Sequence, residues 1–291
     1  MTMAVANTCS ITLKVALAAM TASFASAVLA VDDRTDLMQI EAKNFSHPLK
    51  VDNKWMPHKI GVQKTYEGYT LDDEDKRIPW KVVEIVTDLV KVVNGIETVI
   101  VWERDYKKNK LEESELAWRA QDNEGNVWHF GEVKEVYDEN VKLVGAKVWM
   151  DGALGAKSGI LMPGKPTKGA PSYSQGFAKG VYKWDDRGQV RNMGENVKTP
   201  GGTFSDVLVV EEWSREELAK GALQLKYYAP GVGYVSVGWE GNDPVKETLE
   251  LTSVKQLSPQ EMDVARAGAL EVEERSYYYG RDTKPPYRRK Q

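Results

Sequence analysis

Lys81-Val82-Val83-Glu84-Ile85-Val86-Thr87-Asp88-Leu89-Val90-Lys91-Val92-Val93-Asn94-Gly95-Ile96-Glu97-Thr98-Val99-Ile100-Val101-Trp102-Glu103 decides the fold class. Two β-branched runs meet at Asn-Gly, the dipeptide that best tolerates two consecutive residues with positive φ. The stretch therefore predicts a β-hairpin. Outward from it, Glu115-Leu116-Ala117-Trp118-Arg119-Ala120 and Val127-Trp128-His129-Phe130-Gly131-Glu132 flank Asp122-Asn123-Glu124-Gly125-Asn126, where Asp and Asn bond their own backbone and Gly takes the left-handed position. Val133 to Tyr137 and Val141 to Val144 continue the alternation around Asp138-Glu139-Asn140. Sequential hairpins make a meander.

Upstream, Asn53-Lys54-Trp55 and Val62 to Gly68 read as short extended segments before an acidic turn at Asp72-Asp73-Glu74-Asp75. Downstream, Met150 to Gly176 breaks the rhythm with Gly and Pro and reads as a long loop, in which Ile160, Leu161 and Met162 could form a lid. Strands resume near Tyr182 and at Val207–Trp213, Leu223–Tyr228, Val232–Val237 and Glu247–Leu251. The period then changes. Ser258-Pro259-Gln260-Glu261 has the capping serine, first-turn proline and reciprocal glutamate of a helix start, followed by Met262, Ala265, Ala269 and Val272 at helical spacing. Arg281 to Gln291 has two prolines, no apolar period and a basic end, and is expected to be a disordered tail.

The N-terminus has the order of a secretory signal: Lys14, an apolar stretch from Val15 to Leu29, then an abrupt charged start at Asp32. Thr21, Ser23 and Ser26 interrupt that stretch, so it is too short and polar to remain as a membrane span. Cleavage is expected after Ala30, with Val28 and Ala30 as the small residues before the bond. Cys9, the only cysteine, precedes the apolar run, where it cannot become a lipidated first residue. The mature chain then has no thiol, no disulfide and no sulfur ligand for a metal, and its stability must come from a packed core. The chain carries a formal charge of −4, and loss of Lys14 makes it one unit more acidic. This balance argues against nucleic acid and anionic membranes as partners.

No nucleophile elbow, His-Glu-x-x-His pair, phosphate-cradling loop or zinc spacing is present. Of His47, His58 and His129, only the last lies on a confident strand, and a metal reading would need carboxylates such as Asp151 or Glu115 from elsewhere. A lone strand histidine is more often packed, and Asp122 to Asn126 lacks the glutamate that would complete a calcium loop. Carboxylates are numerous enough for paired acid chemistry, but spacing singles out no pair. The sequence therefore assigns no catalytic residue, no metal ligand and no cofactor. Nine tryptophans and thirteen tyrosines fall mostly on strands, where rings fill a core or line a cavity. If the sheet curls, Trp118, Trp128, Trp149, Met162 and Tyr228 are the expected ligand-lining residues.

The blocks Ala120 to Glu132, Gly159-Ile160-Leu161-Met162-Pro163 and Tyr227-Tyr228-Ala229-Pro230-Gly231-Val232-Gly233 resemble, in this order, those of an uncharacterised family of exported bacterial proteins. The resemblance runs from about Trp102 to Leu251 and implies export but no particular activity; His129 stands where an aromatic residue is usual. By shape alone, lipocalin-like barrels and periplasmic lipoprotein carriers are similar.

The reading is thus a signal peptide over 1–30, a lead-in over 31–48, an antiparallel β domain over 49–257 curved into a barrel or half-barrel, a C-terminal helix over 258–280 and a tail over 281–291. The expected function is an exported, periplasmic or secreted binding or carrier protein for an apolar or amphipathic small molecule. The alternatives are a cell-envelope hydrolase using paired carboxylates and a structural module that pairs through a sheet edge.

Overall fold

The computed structural model describes residues 40–72, 74–179, 183–243, 245–277 and 286–289. The expected signal peptide and the first half of the lead-in lie outside them, as does the strand expected near Tyr182. The described chain is mainly β: β1 (Val62–Leu71), β2 (Arg77–Val93), β3 (Ile96–Lys107), β4 (Lys110–Gln121), β5 (Val127–Tyr137), β6 (Leu143–Met150), β7 (Lys157–Met162), β8 (Tyr173–Ser174), β9 (Gly176–Phe177), β10 (Arg187–Thr199) and β11 (Gly202–Trp213). A short helix α1 (Arg215–Lys220) leads to β12 (Ala222–Ala229), β13 (Gly233–Gly241) and β14 (Thr248–Gln256), then α2 (Pro259–Ser276) and β15 (Tyr287–Arg288).

The Asn94-Gly95 turn forms as the sequence dictates, with φ of 47° and 83°, and pins Val93 opposite Ile96. All strand pairs are antiparallel, in the order β8-β10-β11-β12-β13-β14-β1-β2-β3-β4-β5-β7-β9, with β6 also on β5 and β15 on β2. The sheet curls without closing by a ladder between its end strands. A single segment instead serves both ends: β8 pairs with β10 through Ser174 and Arg187, and β9 pairs with β7 through Gly176 and Ser158. Gln175 between them is buried, and its amide donates to Glu212 Oε1 at 2.9 Å.

This seam requires close backbone approach. A Cβ on Gly159 of β7 would stand 2.1 Å from the Gly176 nitrogen and 2.5 Å from the Ser174 carbonyl oxygen, and neither can retreat without breaking a ladder. Gly159→Ala is expected to cost about 1–3 kcal/mol by overpacking, with amide exchange at residues 173–177 accelerating before that of β2 and β3. Uniform exchange across the sheet would refute this local role.

The Gly- and Pro-rich stretch from Met150 to Gly176, expected as one long loop, thus contains β7 and the seam. Its Ile160 pairs with Trp128 and Met162 with Val127 as part of the sheet. Glycine, which weakens the strand signal, is what permits the approach.

Helix α2 begins as expected, Ser258 Oγ accepting from the Glu261 amide and the Glu261 carboxylate accepting from the Ser258 amide. It lays Met262, Ala265, Ala269 and Val272 on Ile85, Ile100, Trp102, Leu116 and Trp118, which form one core cluster. That cluster lies on the outer face of the curl. The tail, expected to lack structure, is ordered at Tyr287 and Arg288, which pair with Val90 and Leu89. Arg288 Nε donates to Asp88 Oδ2 at 2.9 Å, an anchor that apolar periodicity does not register.

Candidate functional site

Because side chains alternate along a strand, covering one face with α2 sends the intervening residues inward. On β3 these are Val99, Val101, Glu103 and Asp105; on β4, Glu113, Glu115, Ala117 and Arg119. Antiparallel register then aligns them across strands. Lys64 on β1 stands opposite Glu84 on β2, Glu84 opposite Glu103, Glu103 opposite Glu115, and Glu115 opposite Lys134 on β5. Directly opposed side chains have Cβ atoms about 4.5–5.5 Å apart, and like charges so placed repel. Three glutamates in a row, closed by a lysine at each end, are therefore a costly arrangement.

The lysines neutralise the two ends. Lys64 Nζ donates to Glu84 Oε1 at 2.8 Å. Lys134 Nζ donates to Glu113 Oε2 at 2.9 Å and lies 3.8 Å from Glu115 Oε2. Across the curl, Lys226 on β12 meets Glu212 at 2.7 Å. The side chains of Arg119, Glu115, Lys134 and Lys226 keep 16, 18, 26 and 29% of their surface accessible. They border open space rather than a packed core.

Electrostatics divides these acids into two sets. Burial alone would push Glu84 up, but Lys64 and then Arg119 overcome it and hold the carboxyl at about 2. Burial followed by the Glu84 charge raises Glu103, and burial followed by Glu132 raises Glu115 well above the carboxylate range. Asp105 is raised strongly by burial and then by Glu103, Glu247 and Glu113. Burial also pushes Glu247 to about 7, with Lys226 opposing it and Glu103 assisting. Asp186 reaches about 7 through burial, Glu217 and Glu212. Thus a glutamate held low by its cations and several carboxyls raised by burial share one concave face.

Rings border the same face. Trp80 lies four residues before Glu84 and pairs with Gly68; Trp239 pairs with Gln224, whose amide donates to Glu247 Oε2 at 3.1 Å. Both indoles are half-buried. Tyr66 stacks on Tyr234 with centroids 4.2 Å apart. The apolar part of the inner face, including Val86, Val99, Val101, Leu208 and Val210, is covered by Val51, Trp55 and Met56.

The five residues expected to line a ligand cavity are distributed among three clusters. Trp118 and Trp128 are in the outer core beneath α2. Trp149 stacks on Trp184 at 5.8 Å, with His129 edge-on to both. Met162 and Tyr228 share the cluster closed by Trp55 and are fully packed. The five come together only in pairs, one beneath α2 and one on the inner face. His129 is buried with Nε2 3.3 Å from Glu132 Oε2; burial lowers its pKa while Glu132 raises it. The inner acids carried a signal in the two-residue spacing of Glu113, Glu115 and Arg119, but that spacing does not say which face is concave.

Among the described residues, no group of three or more His, Cys, Asp or Glu is arranged to hold a metal ion, and no helix is long and apolar enough to cross a membrane. No family model and no curated protein matches the chain. Two solved structures are similar to it. One is a candidate exported protein with a YmcC-like fold from Bacteroides fragilis, 15% identical over 70% of this chain and 99% of that one, with a TM-score of 0.41. The other is a candidate lipoprotein from Parabacteroides distasonis, 13% identical over 70% of this chain and all of that one, with a TM-score of 0.38.

Proposed function

We propose that the chain is an exported binding protein whose inner face takes a small amphipathic molecule carrying a cationic group. The observation that supports this reading is the Glu84-Glu103-Glu115 row. A bound cation would take the place of the protons that burial and like charge favour on Glu103 and Glu115, and so offset the repulsion within the row. The half-buried Trp80 and Trp239 suit an apolar body and a cation above a ring. A wholly apolar ligand is less well served, because the apolar part of this face is already filled by Trp55 and Met56. The apolar N-terminal run through Leu29 supports export.

Calorimetric titration with tryptamine and with indole-3-acetate, one ring system bearing opposite charges, tests the reading. The amine is expected to bind at one site at least ten-fold more tightly than the acid, and Glu103→Gln with Glu115→Gln to weaken it about ten-fold, or about 1.4 kcal/mol. Equal affinity for both compounds would remove the basis of the proposal.

A second reading is favoured by one specific contrast. Glu247 near 7 and Glu84 near 2 supply a proton donor and an ionised carboxylate on one face, the division of labour that paired-carboxylate hydrolysis uses. A turnover profile that falls as Glu247 loses its proton would mark that chemistry.

A further inference from the structure

Segment 49–61, the start of α2 and the tail strand enclose a groove of about 720 Å³. This lies within the size range of small-molecule sites, about 300–1,000 Å³. Leu49, Ile60, Leu257 and Met262 supply its apolar wall. The acids around it are already engaged. Asp88 accepts from Arg266 at 2.9 and 2.8 Å and from Arg288 at 2.9 Å; Asp263 accepts from Arg266 at 2.7 Å, and Asp52 meets Lys50 at 3.0 Å. Lys59, exposed, and Arg289, whose Nη1 donates to the Leu49 carbonyl at 3.0 Å, supply the remaining positive charge.

A second observation points the same way. His58 also lines the groove, is only 5% exposed, and has no hydrogen-bond partner at either ring nitrogen. Burial and the Arg119 charge keep it neutral, with a pKa of about 3. A neutral imidazole withdrawn from water with both nitrogens unmet costs stability unless a polar group meets it.

We propose that this groove binds a single-chain amphipathic carboxylate of the fatty-acid class. Its chain lies along Leu49, Ile60, Leu257 and Met262, its head group is drawn to Lys59 and Arg289, and His58 donates one N–H to it. The apolar wall selects the chain, and the cation surplus selects the charge. The His58 end of the groove borders the glutamate row, since His58 feels the charges of Arg119 and Glu84, but Lys59, Arg289 and the apolar wall are not part of it, and the proposal does not depend on the function proposed for that row.

Displacement of the fluorescent probe 11-(dansylamino)undecanoic acid by dodecanoate and by methyl dodecanoate tests it on the folded chain. Dodecanoate is expected to compete at one site at least ten-fold more strongly than its uncharged ester. Lys59→Glu, at an exposed position, should weaken dodecanoate about ten-fold, and Leu49→Trp, at a half-buried position on the groove wall, should abolish displacement while the melting transition is retained. Glu103→Gln should leave dodecanoate affinity unchanged, which separates this site from the inner face. Equal competition by acid and ester, absence of probe binding, or full affinity in Lys59→Glu overturns the proposal.

Discussion

Glu273→Ala is expected to destabilise the fold by about 3–5 kcal/mol, because it removes the carboxylate that is ion-paired with Lys91 beneath α2. The two side chains are ion-paired with 0 and 2% of their surface exposed. Lys91 lies on β2, its ammonium 5.2 Å from the Trp118 ring and 5.7 Å from the Tyr277 ring. Glu273 is on the buried stripe of α2 next to Val272. The double replacement Lys91→Met with Glu273→Leu, which removes both charges and keeps most of the volume, should recover the loss. Denaturant melts decide the matter: a double variant as weak as the single would mean that packing, not charge, makes the site fragile.

Stability is expected to peak near pH 5 and to fall by about 2–4 kcal/mol by pH 9, the reverse of ordinary acid denaturation. The sign follows from which state holds protons. Glu247 and Asp186 reach about 7 in the fold, against about 4 when unfolded. Between those values the native state binds more protons, so raising the pH favours unfolding. Each fully buried group would contribute roughly 3–4 kcal/mol over that window; both keep part of their surface in water, which reduces the share. Glu103, Asp105 and Glu115 act in the same direction. Glu84 acts oppositely: held at about 2, it stabilises above its unfolded value and loses that effect as pH falls toward 2. Chemical denaturation between pH 3 and 9 reads both limbs, and Glu247→Gln should flatten the alkaline one. A curve rising monotonically from pH 5 to 9 would show that the inner acids are already ionised.

What was legible in the sequence was local. Asn94-Gly95, the Asp122–Asn126 turn and the Ser258 capping box each enforce their conformation through neighbouring backbone, and all three form as expected. Lys64 becomes informative only when β1 lies beside β2, and Glu115 only when β4 lies beside β3, so the glutamate row is a property of pairing rather than of spacing. The inside-out distribution of residues has the same origin. Leu116 and Trp118 alternate with Glu115 and Arg119, a pattern equally compatible with either face toward the interior. The position of α2, far downstream, turns the apolar set outward and gives the charged set the concave face. For that reason Trp118 and Trp128, expected beside a ligand, are under a helix instead. The seam escaped notice because its strands are only two residues long.

Those two short strands also order events in time. Tyr173–Phe177 can complete its contacts only after Arg187 on one side and Ser158 on the other are held by their own strands, and Arg187 depends on a ladder that runs through β14 back to β1. Joining such distant parts of the chain carries the full entropy of loop closure and comes late in folding. In reverse, it is the cheapest place to begin unfolding. The curl therefore behaves as a cuff with one small clasp: it fastens last, and its four residue pairs can part while the long central hairpins stay intact.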